Sequence, residues 1–528
     1  MPSPSDAPQP LTTRLLWWAL LGLAVIATIG FGYAITQRVL YPHELEWMEG
    51  ALADHAARVA DGLPLYCEPQ AEHVPFLYAP LLFWLGGLGM TLGLDGVIAL
   101  RLVATVFSIG SAMLIGHWVK KETGKNLPGL VAIGVFFAGY GWLAWWYDLA
   151  RNDSLFVFLC LATSYQLRHG GDLRWLWAGL LAAVALLAKQ SALMWLPAVG
   201  VGALFWNWRV AVRFGLVSVA AMAAAIGLLH LMSDGWSTFY LFEMPSHHGI
   251  VGEHKLAYWT RDILPMLPLF VLGIAGFIGS VKKDTGGALY LAAFGAGGIA
   301  CSWLSRMHVG GFDNVMMYGF AAACVLGPIA AARGPRFLQV AGPITLLLQF
   351  ALLVIFAWPT RALLPSEDHQ KAHDELKSFV EQQDGPVWIP GHGHIAYRAG
   401  KGSGAHGQAI FDLLQILPPG PGGVDLGALA DTTKLTYLSP RARHALDSFR
   451  DHCSAAIRDR RFSTVILEKV GTGTFEALFA VPLLGSDTKP GTDDDPYRRQ
   501  RVPMQKPTAL NPLIGFSAHS PYALSRRE

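Results

Sequence analysis

The stretch "LLWWALLGLAVIATIGFGYAIT", residues 15–36, decides the fold of this chain. It holds 22 residues without a charge, which is enough for a helix across the roughly 30 Å hydrocarbon core of a bilayer. The apolar core of a cleavable signal peptide is only about 7–15 residues long, so this stretch predicts a retained membrane-spanning helix. Shortly after it the chemistry reverses in "PHELEWMEG", residues 42–50, where three carboxylates lie close together.

The whole chain has the composition of an integral membrane protein. Of its 528 residues, 52% are hydrophobic and only 15% are charged, against about 25% charged in soluble proteins; its mean hydropathy is +0.36. A net charge of +2 and the lack of basic runs with interleaved aromatics argue against a nucleic-acid partner. Five cysteines are scattered without CxxC spacing, so neither a zinc site nor a disulfide framework is predicted from them.

Charge-poor runs recur along the chain and predict an all-α polytopic membrane protein with about eleven transmembrane helices. The expected spans are residues 15–36, 98–118, 127–146, 154–167, 175–188, 191–206, 214–232, 263–281, 286–304, 315–332 and 337–358. One apolar run, residues 78–94, is short and interrupted by glycines. We expect it to lie along the outer interface rather than to span.

The distribution of Lys and Arg predicts which side each loop faces. With eleven spans and a cytoplasmic N-terminus, most of the basic loop residues fall on the cytoplasmic side, as the positive-inside rule requires. Twelve spans with an outer N-terminus would satisfy the later loops equally, so charge counting leaves that alternative open. Under the eleven-span arrangement the glutamate-rich loop faces outward. The tryptophans of residues 142–146 then fit an aromatic belt at the outer interface.

The domain boundaries follow from these changes in composition. Residues 1–14 are expected to be a disordered cytoplasmic N-terminus and residues 15–360 the transmembrane domain, with 41–96 as a first extracytoplasmic loop that carries interfacial helices. From residue 361 the sequence is of mixed charge, and strand-like "GPVWIPG" and "FSTVILEKV" alternate with helical stretches. We therefore predict a small extracytoplasmic α/β domain over 361–485 and an extended tail over 486–528.

The acidic cluster of the first outer loop is the first candidate for chemistry. Glu46 and Glu49 are three residues apart and would share one helical face, with Glu44 just before them. Neighbouring carboxylates raise each other's pKa and can share a proton, which suits a general base. The alternative interpretation is a solvated loop with ordinary acids, and spacing does not separate the two.

Three further polar groups interrupt apolar runs at the outer ends of spans. Asp148, Arg151 and Asp153 lie together in "WYDLARND", where Asp153 is also a candidate helix N-cap. Lys189 is a lone cation between two apolar runs, and a charge at the bilayer centre costs about 2.5–3.5 kcal/mol unless it reaches the surface or meets an anion such as a lipid phosphate.

The third group precedes a late span in "SRMHVGGFDN", where Arg306, His308, Gly310 and Gly311 offer backbone donors and a positive helix end suited to phosphate or sugar. Charges at span ends on one side favour an enzyme of the outer surface, because carriers more often bury charges in mid-span.

No cofactor is predicted. Histidines recur in "PSHHGIVGEH" and "GHGHIAY", but both stretches are glycine-rich and lack a carboxylate or cysteine at metal-ligand spacing, so we interpret them as flexible polar loops. A divalent metal is not indicated by any spacing in the sequence, although nothing in the spacing rules one out.

At this point the sequence resembles the bacterial membrane glycosyltransferases of the GT-C superfamily. The similarity is to family-39-like enzymes, the group of protein O-mannosyltransferases, lipid A aminoarabinose transferases and galacturonosyltransferases. It covers roughly residues 41–332, and the order of the motifs carries it. These motifs are "ELEWMEG" (44–50), "RVADGLPLY" (58–66), "FLYAPLLFWL" (76–85), "ARNDSLFVFL" (150–159), "LLAKQSALMWLP" (186–197) and "HVGGFDN" (308–314).

The resemblance implies an inverting transferase of the bacterial inner membrane. Such an enzyme takes sugar from a polyprenyl-phosphate donor and passes it to a hydroxyl of a glycan, lipid or protein acceptor outside the cytoplasm. The spacing from Glu46 to Gly62 makes Glu46 the best match for the family's base. Glu44 and Glu49 remain alternatives, because the family's usual first motif has Asp beside Glu and this one has only glutamates.

The resemblance also implies roles for residues further along the chain. Asp153 matches a second acidic position and Lys189 a residue near the donor phosphate. The remaining implied substrate contacts are Arg151, Tyr78, Arg306, His308, Gly310, Gly311 and Asn314. Two alternatives stay open: a carrier or flippase for a polyprenyl-linked sugar, which needs the cations but not the outward carboxylate, and a non-enzymatic membrane scaffold.

Overall fold

The structure is a computed structural model that describes residues 10–357, 363–420, 423–467, 497–514 and 521–526. Most of the expected disordered N-terminus lies outside these residues. Its described end is already helical, because the first helix begins at Leu11. The apolar run therefore extends one turn closer to the N-terminus than the sequence boundary at residue 15 predicts.

Helices form most of residues 10–355. Their bounds are α1 (Leu11–Arg38), α2 (Glu49–Ala60), α3 (Leu81–Thr91), α4 (Gly96–Thr123), α5 (Asn126–Trp142), α6 (Asp153–His169), α7 (Arg174–Ala188), α8 (Ala192–Met232), α9 (Trp236–Thr238), α10 (Met244–Ser246), α11 (Gly252–Ala257), α12 (Leu267–Ser280), α13 (Thr285–Met307), α14 (Met316–Arg333) and α15 (Arg336–Ile355). Short 3₁₀ or π-helical turns occupy Trp146–Asp148, Phe239–Glu243, Tyr258–Asp262, Leu264–Met266 and Asp313–Val315.

The prediction of a mostly helical polytopic membrane protein is confirmed. Each of the eleven expected spans coincides with helix in the described chain, and seven helical segments are long and apolar enough to cross a membrane by length and composition. The 41-residue α8 supplies two of the expected spans. Asn207 leaves the helical region there (φ −156°, ψ 95°), and the chain folds back, since a Cβ on Gly200 would lie 3.5 Å from the Phe214 ring.

The apolar run at residues 78–94 forms α3, which has only 11 residues. A helix of that length rises about 16 Å, roughly half of the hydrocarbon core. The expectation that this run does not span therefore agrees with the structure. It packs against α2, in the loop between α1 and α4, and against α4 itself.

Small residues let the membrane helices approach closely. A Cβ on Gly134 of α5 would lie 2.1 Å from the Cβ of Ala24 in α1, and one on Gly202 of α8 would meet the backbone of Tyr290 in α13 at 3.1 Å. Neither position has room for a side chain. Lipid provides no hydrophobic drive between helices, so this close van der Waals packing holds them together.

The C-terminal domain is α/β, as predicted. Its helices are α16 (Glu367–Glu381), α17 (Ile395–Arg398), α18 (Gly407–Leu414) and α19 (Pro440–Arg458), with 3₁₀ turns at Leu426–Ala430, Thr432–Lys434 and Pro507–Leu510. Its strands are β1 (Val387–Trp388), β2 (Pro419–Gly420), β3 (Gly423–Val424), β4 (Thr464–Leu467), β5 (Tyr497–Arg501) and β6 (Tyr522–Arg526).

One four-stranded sheet organises this domain in the order β1-β4-β6-β5. The β1 and β4 strands are parallel, while β4 with β6 and β6 with β5 are antiparallel. The last two strands come from the segment expected to be an extended tail, so the domain continues past the boundary drawn at residue 485. Antiparallel pairing with β4 gives β6 its backbone hydrogen-bond partners, and β6 in turn pairs with β5. The polar sequence of this segment does not predict these strands.

The C-terminal domain packs directly on the loop between α1 and α4. Gly50 and Gly393 touch, because a Cβ on Gly50 would lie 2.2 Å from the Gly393 carbonyl oxygen. The Asp54 carboxylate accepts a hydrogen bond from the backbone N–H of His394 at 3.0 Å, and Arg398 pairs with Asp95 at 3.3 Å. The domain therefore covers the loop that carries the glutamates.

The ends of the membrane helices separate into two sets, which gives a topology prediction. The C-terminal domain covers one set, whereas Glu122, Arg168 and Arg333 form an ion-pair cluster among the basic loops at the other. We expect a membrane-impermeant maleimide to label Gln382→Cys on intact spheroplasts, and to label Lys125→Cys only after permeabilisation, in a Cys67→Ser background. Labelling of Lys125→Cys on intact spheroplasts would show that the two sets of helix ends face the opposite sides from those expected.

Candidate functional site

Most of the residues that the sequence singled out lie at the end of the membrane helices that the C-terminal domain covers. They form two groups. The glutamate group consists of Glu46, Arg151 and Tyr78, and the aspartate group consists of Asp153, Lys189, Asn314, Tyr318 and Trp146. The two groups adjoin, because the Arg151 guanidinium lies 5.5 Å from the Trp146 ring centroid.

Glu46 is buried, with 1% of its surface exposed. Its Oε2 accepts hydrogen bonds from Arg151 Nη1 and from the Met48 backbone N–H, both at 3.2 Å. Arg151 also donates from Nη2 to the Tyr78 hydroxyl at 3.0 Å. The carboxylate is therefore held in place by the loop between α5 and α6 and by its own turn, which orients it without using all of its lone pairs.

The environment of Glu46 suits a proton acceptor near neutral pH. Burial raises its pKa to about 7, although the Arg151 charge lowers it and Glu49 raises it further. A base whose pKa lies near the operating pH is ionised in a substantial fraction of molecules and still binds a proton strongly enough to take it.

Glu49 faces the opposite way and is fully engaged. Arg101, at the start of α4, donates to both of its oxygens at 2.9 and 2.5 Å. The backbone N–H groups of Ala150, Leu45 and Glu46 donate at 2.7, 2.7 and 3.2 Å. These charged and backbone donors lower the pKa of Glu49 despite burial, which by itself would raise it. The carboxylate holds the first loop to α4, and it offers little to a substrate.

We therefore expect Glu49→Gln to damage the fold more than the chemistry. Removing one partner of a buried ion pair leaves an uncompensated charge, here on Arg101, and costs roughly 3–5 kcal/mol. Thermal unfolding in detergent and turnover per folded molecule separate the two effects. The control is Glu381→Gln, which breaks the exposed Lys377–Glu381 pair, worth about 0–1 kcal/mol. Normal unfolding with lost turnover would instead place Glu49 in the reaction.

Glu44 points towards the C-terminal domain. Its Oε2 lies 2.6 Å from His392 Nδ1, and its Oε1 accepts a hydrogen bond from the Gly50 backbone N–H at 3.1 Å. The three glutamates that spacing left equivalent thus have three different surroundings. Glu46 is the one that is buried beside the cation of the next loop, Arg151, so the geometry favours it as base among the three.

Lys189, the cation that was expected to reach the surface or meet an anion, meets an anion of its own chain. Its Nζ lies 2.7 Å from Asp153 Oδ1. The same carboxylate accepts hydrogen bonds from the Tyr318 hydroxyl at 2.7 Å and from Asn314 Nδ2 and Trp146 Nε1 at 3.1 Å each. The partner was not visible in the sequence because it lies on another helix. Asp153 does not cap α6 with its side chain, since the N-cap position is Asn152.

Lys189 keeps donors for a ligand. Its side chain is 14% exposed, and among the described residues Asp153 is the one hydrogen-bond partner of its three-donor ammonium. Two other buried polar atoms, Arg151 Nε and Asn314 Oδ1, have no partner in the described part of the chain. Buried polar groups are normally paired, so these atoms point to a ligand between the two groups.

The Arg306 loop is held together by contacts of its own, and its predicted part in substrate binding stays a prediction. Arg306 donates to Asp262 at 2.8 Å and to the Gly311 carbonyl at 2.6 Å, so its charge is already neutralised. His308 forms an antiparallel bridge with Ile250, and Gly310 makes the turn with a left-handed φ of +87°. The loop thus fixes the start of α14, and Asn314 is the residue that it delivers to the aspartate group.

Sequence reasoning missed several residues of the site. Trp146 fitted an aromatic belt, but it is buried and donates to Asp153. The chain turns inward there because Ala144 and Trp145 adopt left-handed torsion angles (φ 49° and 57°), which non-glycine residues rarely do. Tyr318 looked like an ordinary apolar helix residue.

The C-terminal domain brings Asp412 towards the same place. Burial raises the pKa of its carboxyl to about 8, while hydrogen bonding from Gln408 and the charge of Arg151 lower it. Its backbone carbonyl accepts from His248 Nε2 at 2.9 Å. His392 and His394 are buried, so "GHGHIAY" is a packed interface and not the flexible loop that its glycines predict. In "PSHHGIVGEH" His248 is buried, whereas most of its neighbours are exposed or half-buried.

Comparison with solved structures identifies the fold. No family model matches the sequence, and no curated protein matches it either. The structure is similar to ArnT from Cupriavidus metallidurans bound to undecaprenyl phosphate, with a TM-score of 0.59 and 11% identity over 96% of this chain and 98% of that one. The apo state of that ArnT gives a TM-score of 0.56 and 11% identity over 95% and 97%.

A second similarity is to the archaeal oligosaccharyltransferase AglB from Archaeoglobus fulgidus in complex with an inhibitory peptide and a dolichol-phosphate. Its TM-score is 0.50, with 12% identity over 87% of this chain and 70% of that one. The chain thus has a membrane fold similar to that of ArnT, from the first membrane helix into the C-terminal domain.

Proposed function

We propose that this chain is an inverting glycosyltransferase of the bacterial inner membrane. It would move a sugar from a polyprenyl-phosphate donor to an acceptor hydroxyl on the extracytoplasmic side. The observation that carries the proposal is the position of Glu46, a buried carboxylate with a near-neutral pKa beside Arg151, adjoining a group that holds the cation Lys189. A base and a cation at one end of a membrane domain are what this transfer requires.

A lipid-linked donor fits the position of Lys189. Leu193 and Met194, on the first turns of α8 just after it, expose 46% and 43% of their surfaces. Apolar exposure on a membrane helix is typical of contact with lipid chains, so a phosphate on a prenyl chain can reach the ammonium without leaving the bilayer. The similar structures, one with undecaprenyl phosphate and one with a dolichol-phosphate, support the same class of donor.

The transfer can be written with the residues in place. The Glu46 carboxylate accepts the proton of the acceptor hydroxyl, and the acceptor oxygen bonds to the anomeric carbon from one face of the sugar. The bond from that carbon to the phosphate oxygen breaks on the other face, and the polyprenyl phosphate leaves with the electron pair. Lys189 offsets the charge that develops on this phosphate. One such displacement inverts the anomeric configuration.

Arg151 acts between the two ends of the reaction. It orients Glu46 through Nη1 and holds Tyr78 through Nη2. Its unpartnered Nε is a buried donor for the sugar or the phosphate. The C-terminal domain, with Asp412, covers the Glu46 side of the site. We therefore propose that this domain contacts the acceptor.

The test compares cells that lack the protein with complemented cells, by mass spectrometry of their lipid-linked sugars and envelope glycans. Loss of one glycan modification with accumulation of its lipid-linked donor, restored by the wild type and not by Glu46→Gln, supports the transferase. Restoration by Glu46→Gln would favour a carrier, because transport does not need the base. Unchanged donor and glycan pools would favour a scaffold.

A further inference from the structure

Three metal-binding side chains meet where the C-terminal domain covers the first outer loop. They are Glu44 of the loop, His373 of α16 and His392 after β1. One ligand atom from each, a carboxylate oxygen or an imidazole nitrogen, lies within 4.8 Å of the others. All three are buried, with 4%, 1% and 3% of their surfaces exposed.

His373 carries an independent sign of a ligand. Its Nε2 is buried and has no hydrogen-bond partner among the described residues. Its Nδ1 lies 2.8 Å from the His369 carbonyl oxygen of the same helix, which places the ring proton on Nδ1 and leaves the Nε2 lone pair free. A metal-bound histidine typically donates its second ring N–H to a backbone carbonyl or a carboxylate in this way.

The other two side chains are held in position for the same purpose. His392 Nδ1 lies 2.6 Å from Glu44 Oε2, and the other oxygen of Glu44 accepts from the Gly50 backbone N–H at 3.1 Å. A small pocket borders Glu44 and His373 and is lined as well by His43 and Arg398.

We propose that Glu44, His373 and His392 form a zinc site that fastens the C-terminal domain to the first outer loop. Two imidazoles and one carboxylate are a ligand set that Zn²⁺ accepts, with water as the fourth ligand. Calcium and magnesium prefer sites built from oxygen alone. Because Glu44 stands two residues before Glu46, the ion fixes the turn that presents the base.

The site escaped the spacing argument for a simple reason. Its ligands come from three segments, with His373 and His392 in the C-terminal domain and Glu44 more than half the chain away. Motifs of zinc ligands are recognisable when one short segment supplies a pair of ligands. Here the docking of the two domains creates the site.

The test uses the full-length protein in detergent, stripped with EDTA, equilibrated with ZnSO₄ and desalted. Elemental analysis should give about one zinc per chain for the wild type. We expect Glu44→Gln and His373→Ala each to lower this at least fivefold. The matched control is His452→Ala, because His452 lies on α19 of the same domain and bonds within its own helix; this variant should keep its zinc.

Thermal unfolding gives a second readout that does not depend on activity. Zinc should raise the unfolding temperature of the wild type by several degrees and leave that of Glu44→Gln unchanged, since a ligand stabilises only a state that binds it. Glu44→Gln keeps the shape of the side chain, so it tests the site even if His373→Ala fails to fold. Wild type without bound zinc, zinc retained by both variants, or binding of Mg²⁺ or Mn²⁺ in place of zinc would each overturn the proposal.

Discussion

Glu46→Gln should lower turnover at least about 100-fold and leave donor affinity nearly unchanged. The amide keeps the shape of the side chain and an oxygen for Arg151, but it does not accept a proton. A positioned general base contributes typically about 10²–10⁴-fold to a reaction. A loss confined to the chemical step appears in kcat and in kcat/KM alike, so steady-state kinetics with varied donor concentration is the measurement.

The same residue should set the acidic limb of the pH profile. Glu46 must be ionised to accept a proton, and its pKa is raised to about 7 by burial. Activity should therefore rise with pH through about 7 and fall below it as the carboxylate becomes protonated. Arg151→Lys replaces the planar guanidinium by an ammonium and weakens the hydrogen bonding to Glu46. This variant should therefore shift the pH at which activity falls, without abolishing the acidic limb.

A matched control keeps the result specific to Glu46. Glu68 is a glutamate of the same outer loop, and it pairs with His444 at the domain surface at 3.0 Å. Glu68→Gln should leave turnover and the acidic limb as they are in the wild type. If purified Glu46→Gln turns over at a near-normal rate, Glu46 is not the base. The same assay on Glu44→Gln and Glu49→Gln then shows whether either takes that role.

The membrane helices could be predicted from sequence because a bilayer restricts the chain so strongly. Every backbone polar group in hydrocarbon must be paired within the segment, so an apolar run of sufficient length is almost forced to be helix. The run at 286–304 accordingly lies inside the helix Thr285–Met307. The fold-back at Asn207, within α8, could also be predicted, because charged residues separate the apolar runs 191–206 and 214–232 there.

The pairing of charges could not be predicted in the same way. Glu49 finds Arg101 on α4, and Lys189 finds Asp153 on α6. Position along the chain carries no information about which helices become neighbours. As a result, the sequence identified the charged residues of the two groups but could not tell a structural carboxylate from a reactive one. Nor could it place Asp412, which arrives from a separately folded domain.

The C-terminal sheet shows a related limit. Strand β4 was visible as an apolar run, whereas β5 and β6 lie in a polar segment with prolines and glycines. A short strand gains its stability from its neighbours and not from its own composition. The composition of the tail therefore predicts extended chain, because its pairing with β4 cannot be recognised from composition.

Lys189→Gln should lower kcat/KM for the donor by about 10–100-fold. The glutamine side chain can still donate one hydrogen bond towards Asp153, but the charge that faces the leaving phosphate is gone. A hydrogen bond to a charged group is worth about 1.5–3 kcal/mol, and each 1.4 kcal/mol is about tenfold. Because the phosphate becomes more negative as it leaves, part of the loss should appear in kcat.

The variant also weakens the fold, and the measurement must separate the two effects. Asp153 is fully buried and would lose its ionic partner, while keeping three neutral donors from Tyr318, Asn314 and Trp146. Turnover is therefore expressed per folded molecule, counted by the monodisperse peak in size-exclusion chromatography. Lys189→Arg should recover donor use, because a guanidinium restores the cation.

Tyr318→Phe is the comparison that decides what Lys189 does. It removes one neutral hydrogen bond from the same Asp153 carboxylate and costs roughly 1 kcal/mol of stability, but it leaves the ammonium in place. If Lys189 acts on the donor phosphate, Tyr318→Phe should unfold at a lower temperature and still use donor normally. Lys189→Gln with full turnover per folded molecule would show that the lysine serves only to neutralise Asp153. The leaving group would then need another cation, and Arg151, whose buried Nε has no partner among the described residues, would be the candidate.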